Sequence, residues 1–192
     1  MTDFKSFEFR TQPWFDEDNF QGFNAFIPMK TIVVSCFDPR ANEAPNAVAE
    51  FFGDEIFPGE NVYDNGIRVG HTATLFPLFC AAGRAASALP SIATMDYLFN
   101  FKRLVIVHHS FCGGTGFREE QLFDKFHEHY HSDVEDLFGH GNLAIADFEE
   151  SLKHDLKLLR ESPAVPKHIE LYGFFFEMNQ RKLVEVVRDI PA

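Results

Sequence analysis

The apolar positions of the chain fall into short unbroken runs separated by longer stretches of helical period. Thr31–Cys36, Leu104–His108 and Ile169–Phe176 are rich in β-branched and aromatic residues and show little apolar–polar alternation. That is the pattern of strands buried on both faces. Asn61-Val62-Tyr63 reads as another strand, closed by the turn signal Asp64-Asn65-Gly66, and Lys182–Val187 as an edge strand. Helical stretches are predicted over Asn46–Phe52, His71–Gly83, Ser91–Phe99, Phe117–His131 and Ile145–Leu159. Pro90 separates the second from the third, with Ser91 as an N-cap, and Ser162-Pro163 ends the last. Strands alternating with helices predict an α/β fold, a mainly parallel β-sheet flanked by helices, over residues 30–192. Residues 1–29 hold Phe4, Phe7, Phe9, Trp14, Phe15, Phe20, Phe23 and Phe26. This segment is too apolar for a solvated tail and reads as an N-terminal aromatic arm.

Composition narrows the function classes. A chain of 192 residues fits one domain. The net charge of −12, with no basic stripe, argues against nucleic acid. No apolar run approaches the roughly 18 residues of a membrane span, and Met1–Arg10 lacks a signal-peptide layout. A cytoplasmic location is the expectation. Three cysteines, Cys36, Cys80 and Cys112, are too few and too odd for a disulfide framework. Cys80, inside an apolar stretch, reads as a small buried hydrophobe. The 24 phenylalanines must mostly fill the core, with a surplus that suits an oligomer interface or an apolar channel.

The chemistry concentrates in two segments that each follow a buried strand, Cys36-Phe37-Asp38-Pro39-Arg40 and His109-Ser110-Phe111-Cys112-Gly113. Ligand sites of parallel sheets lie at the carboxyl ends of strands, so two thiolates and an imidazole stand where they could meet. Three such ligands with a fourth position open suit a catalytic zinc ion, and zinc can bring a water to ionise near neutral pH. Arg40, two residues past Asp38, would keep that carboxylate ionised and oriented. Asp38 could then accept a hydrogen bond from the metal-bound water or fill the fourth position itself. Backbone N–H groups of Gly113–Gly116 could face a developing oxyanion, and Asn65-Gly66 could contribute in the same way. The His127, His129 and His131 series reads as a solvated helix surface, because residues two apart do not share a helix face.

The two segments resemble the zinc motifs of the β-class carbonic anhydrases, Cys-x-Asp-x-Arg and His-x-x-Cys-Gly. Ala88-Leu89-Pro90-Ser91-Ile92 through Asp96-Tyr97-Leu98, His108-His109-Ser110-Phe111-Cys112-Gly113, Phe148–Leu152 and Leu171–Phe176 extend the resemblance over roughly residues 30–188. It implies Zn2+ held by Cys36, His109 and Cys112, an Asp38–Arg40 dyad, and a homodimer or homotetramer with sites at the subunit interface. Three departures stand out. The family's Arg-Asn-Ala-Gly-Gly after the second strand is set against Asp64-Asn65-Gly66-Ile67-Arg68, its Arg before the middle-helix Ser is Pro90, and the acid before its second Cys is Phe111.

Members of the family hydrate carbon dioxide, and some branches hydrolyse carbonyl sulfide or carbon disulfide. Lost charge near the site, with Phe37 and Phe111 beside the ligands, favours an apolar substrate. The expectation is therefore zinc-hydroxide attack on carbonyl sulfide, giving hydrogen sulfide and carbon dioxide, with Phe37, Asn65, Gly66, Phe111 and Gly113 around the substrate. The alternatives are reversible carbon dioxide hydration to bicarbonate and a non-catalytic, zinc-stabilised descendant.

Overall fold

The computed structural model describes residues 26–138 and 143–191, apart from the side chain of residue 137. The expected aromatic arm lies almost wholly outside the described residues. Among the described residues seven strands and five helices are seen: β1 (Thr31–Cys36), α1 (Ala44–Phe52), β2 (Asn61–Asp64), β3 (Ile67–His71), β4 (Leu75–Cys80), α2 (Ala85–Phe99), β5 (Arg103–His109), α3 (Glu119–Tyr130), α4 (Glu135–Phe138), α5 (Phe148–Glu161), β6 (Glu170–Glu177) and β7 (Lys182–Asp189). Five strands form the main sheet in the order β4-β1-β5-β6-β7, and β2 and β3 make a separate hairpin. β4, β1, β5 and β6 run parallel, and β7 closes the sheet antiparallel to β6.

Period-two alternation divides each central strand between two cores. Ile32, Val34, Leu104, Ile106 and Leu171 face Ala85, Ala88 and Ile92 of α2 and Leu152, Leu156 and Leu159 of α5. Val33, Val105, Val107, Phe174 and Phe176 face Ala44, Val48 and Ala49 of α1. The continuous apolar runs are therefore the signature of a sheet covered on both sides. Among the described residues no helix is long and apolar enough to cross a membrane.

β3 and α4 have no counterpart among the expected elements, and two further stretches differ from expectation. Residues 71–83, read as a helix, are the end of β3, the strand β4 and a 3-10 turn, Ala81–Gly83. An apolar run of six residues does not declare its own period. Pro77 within it opposes a helix interior and is tolerated at a sheet edge, which is where β4 lies. Conversely, Pro90 does not break a helix but sits inside α2, on its exposed side. The backbone bond it removes is thus lost where water can replace it.

Candidate metal centre

β1 ends at Cys36 and β5 ends at His109, two adjacent parallel strands that deliver both residues to one edge of the sheet. Cys112 returns to the same place through a tight turn in which Phe111 takes the left-handed conformation, φ 58°. The ligand atoms of Cys36, His109 and Cys112 all lie within 4.8 Å of one another, and all three residues are buried. Cys36, Cys112, Ala82 and Ile145 form their own small cluster, with Phe148 against it.

The local hydrogen bonds leave this trio ready for a cation. The Cys112 thiol donates to Cys36 Sγ at 3.9 Å. That contact is the main force lowering the Cys36 pKa to about 4, and it raises that of Cys112. The Gly114 N–H donates to Cys112 Sγ at 3.4 Å. His109 Nδ1 is 2.9 Å from the Ser110 carbonyl, so an Nδ1–H donor there leaves the Nε2 lone pair free. Nε2 is buried and has no hydrogen-bond partner among the described residues. An orphaned imidazole nitrogen beside two sulfurs, one readily ionised, fits a tetrahedral zinc ion with one position to spare.

Asp38 stands at the rim. Its Oδ1 accepts from Arg40 N and Nε, both at 3.0 Å, and its Oδ2 from Arg40 Nε at 3.2 Å and Nη2 at 2.5 Å. Arg40 Nη2 also donates to the Phe111 carbonyl at 3.1 Å, linking the two motifs. The Arg40 guanidinium holds the Asp38 carboxyl down at about 2. Asp38 is thus a fixed acceptor at any ordinary pH.

A cavity of about 470 Å³ opens beside the ligands, lined by Cys36, Phe37, Asp38, Pro39, Arg40, Ala81, Ala82, Gly113, Gly114, Phe117 and Leu143. Of the residues expected around a substrate, Phe37 and Gly113 line it. The Phe111 side chain is 67% exposed and outside that lining, and its carbonyl serves Arg40 instead. Asn65 and Gly66 form the tip of the β2–β3 hairpin and do not line the cavity. The turn at that wall is Ala81–Gly83, after β4. The stretch Asp64–Arg68, set against the family's Arg-Asn-Ala-Gly-Gly in the sequence, thus stands outside the cavity lining. The loop amides also differ from expectation. Those of Gly114, Thr115 and Gly116 bond Cys112 Sγ, the Cys112 carbonyl and the Gly113 carbonyl, so they support the ligand turn instead of facing an oxyanion.

No protein-family profile matches the chain. A curated relative, the Bacillus subtilis (strain 168) protein named "Putative carbonic anhydrase YvdA", is 25% identical over 174 residues, covering 84% of this chain and 79% of its own length. The solved carbonic anhydrase from Glaciozyma antarctica superposes with a TM-score of 0.62 at 21% identity, over 88% of each chain. The apo form of carbon disulfide hydrolase does so with a TM-score of 0.54 at 17% identity, over 82% of this chain and 78% of its own. The chain thus has the carbonic anhydrase fold of these structures, and its Cys36-His109-Cys112 cluster is the set that the motif resemblance implies for Zn2+.

Proposed function

We propose that the chain is a zinc-dependent enzyme that adds water to the carbon of a small linear molecule, with carbonyl sulfide as its substrate and hydrogen sulfide and carbon dioxide as products. The observation that carries this reading is the wall of the cavity. Among the described residues, Asp38 and Arg40 are its only charged lining residues, and they neutralise each other through direct hydrogen bonds. The rest are apolar or glycine, apart from the ligand Cys36. Such a wall suits a neutral, weakly hydrogen-bonding substrate better than it suits bicarbonate, an anion that would need unpaired donors.

Cys36, Cys112 and His109 Nε2 would hold the zinc ion. Zinc bound there supplies a Lewis acid that lets water act as a nucleophile near neutral pH. Asp38, ionised and pinned by Arg40, accepts a hydrogen bond from entering water and turns a lone pair towards the substrate carbon. Its pKa of about 2 makes it a poor proton acceptor, since an efficient general base titrates near the working pH. Its role is orientation. Asp38→Ala is expected to keep full zinc and lower kcat by about 100-fold, the scale of a misplaced reactant, as read by elemental analysis and steady-state assays. The acid limb of the parent's pH–rate profile should show no Asp38 titration above about pH 4, because its depressed pKa lies below that window. An Asp38 step near pH 6 would contradict this assignment.

Reversible hydration of carbon dioxide is the second reading, supported by the carbonic anhydrase name of the relative. Sulfide release from carbonyl sulfide and carbon dioxide hydration, assayed on one zinc-loaded preparation, separate the two. Rapid hydration with negligible sulfide would make the protein a carbonic anhydrase. Inactivity towards both would leave a non-catalytic, zinc-stabilised protein. We propose further that the chain assembles as a homodimer or homotetramer, since Phe37 and Phe111, each next in sequence to a proposed zinc ligand, are 65% and 67% exposed and would be covered by a second copy.

A further inference from the structure

Behind the metal centre lies a buried ion pair that plays no part in the mechanism above. Arg84 is 2% exposed and Asp155 1%. Arg84 Nε donates to Asp155 Oδ1 and Oδ2 at 3.1 and 2.9 Å, and Nη2 donates to Oδ1 at 3.0 Å. Nη1 donates to the Ala144 carbonyl at 2.9 Å. His108 Nε2 stands 3.3 Å from Asp155 Oδ2, so the imidazole belongs to the same buried cluster.

Arg84, His108 and Ala144 each belong to a segment that borders the site. Arg84 directly follows Gly83, whose α-carbon is pressed against β1 and β5: a Cβ there would meet Cys36 N at 2.8 Å and Val107 O at 3.0 Å. His108 directly precedes His109. Ala144 lies between Leu143, a wall of the cavity, and Ile145, whose N–H donates to the Gly114 carbonyl at 2.8 Å. Asp155 projects from α5. Stability alone does not account for such a pair, because apolar residues of similar volume commonly serve as well or better. What a guanidinium fork adds is fixed, directional geometry across several segments.

We propose that Arg84, held by Asp155, is a positioning residue for the metal centre: its guanidinium locks the Ala81–Gly83 turn, α5 and the Ala144 segment into one frame that sets Cys36, His109 and Cys112. The inference rests on reading those three as zinc ligands. Outer partners of this kind typically change metal affinity or activity by about 10–100-fold.

The test compares the parent chain with the double variant Arg84→Met/Asp155→Asn, which removes both buried charges together. Thermal unfolding of the apo forms, competitive zinc titration and the absorption spectrum with Co2+ in place of zinc are measured on each. The expected result is an apo Tm close to the parent's, zinc affinity lowered by about 10-fold or more, and shifted cobalt ligand-field bands. Unchanged affinity and an unchanged cobalt spectrum in the folded variant overturn the proposal. Should the double variant not fold, Arg84→Lys replaces it. Lysine keeps the charge but cannot bridge Asp155 and Ala144 with a fork, so the same spectral shift is expected and its absence overturns the proposal. A parent chain that takes up no cobalt refutes the metal reading and this inference with it, whereas a cobalt-binding parent with an identical variant refutes the inference alone.

Discussion

Cys112→Ser is expected to strip the protein of zinc, abolish turnover and lower the Tm by about 10 °C. Cys112 is 2% exposed and packed with Cys36, Ala82 and Ile145. A serine oxygen is a harder atom on a shorter bond and stays protonated where a thiol near a cation ionises, so it is a poor substitute in a soft site. The change also leaves the Cys36 sulfur and His109 Nε2 buried without their shared partner. A metal held about a thousandfold above its dissociation constant stabilises the fold by about 4 kcal/mol. At roughly 2–4 °C per kcal/mol for a chain of this size, that gives the stated shift. Elemental analysis and thermal melts with and without chelator check it. The parent should fall to the variant's Tm on chelation, while the variant should not respond. Cys80→Ser is the control. The Cys80 thiol donates to the Arg84 carbonyl at 3.4 Å, and burial pushes its pKa up to about 12, so it has neither the direction nor the ionisation of a ligand. Full zinc in Cys112→Ser would break the ligand set.

The ligand trio was legible because its two motifs sit at the ends of β1 and β5, whose β-branched runs announce buried parallel strands without help from the rest of the chain. The second wall of the site was not. Leu75-Phe76-Pro77-Leu78-Phe79-Cys80 carries no alternation, and the cost of Pro77 inside a helix is the one local signal for a strand. The turn after that strand, Ala81–Gly83, carries no motif of its own in the sequence. The Arg84–Asp155 pair was hidden for a different reason. Its members are 71 positions apart, and an arginine or aspartate in a sequence reads as surface unless the fold shows it enclosed. The phenylalanine surplus divided in a way composition does not reveal: Phe101, Phe174 and Phe176 are core, whereas Phe37 and Phe111 are exposed at the site.

Two glycine substitutions test where the site's wall lies. Gly83 has φ +67°, and a Cβ there would meet Cys36 N at 2.8 Å, Ser35 C at 3.0 Å and Val107 O at 3.0 Å, all backbone atoms of the central strands. Gly83→Ala therefore combines the left-handed penalty of about 1–2 kcal/mol with overpacking of about 1–3 kcal/mol. The two strands cannot part without moving Cys36. The expected outcome is a Tm fall of roughly 5–15 °C together with at least about 10-fold weaker zinc binding, the scale for disturbing a ligand's support. Gly66 has φ +82°, and a Cβ there would meet nothing within 4 Å. Gly66→Ala should cost only the backbone penalty of about 1–2 kcal/mol and leave zinc affinity unaltered, because the hairpin tip does not line the cavity. Competitive zinc titration on both variants decides the matter. Weakened zinc in Gly66→Ala with normal zinc in Gly83→Ala would return the wall of the site to the hairpin and undo the assignment of the Ala81–Gly83 turn.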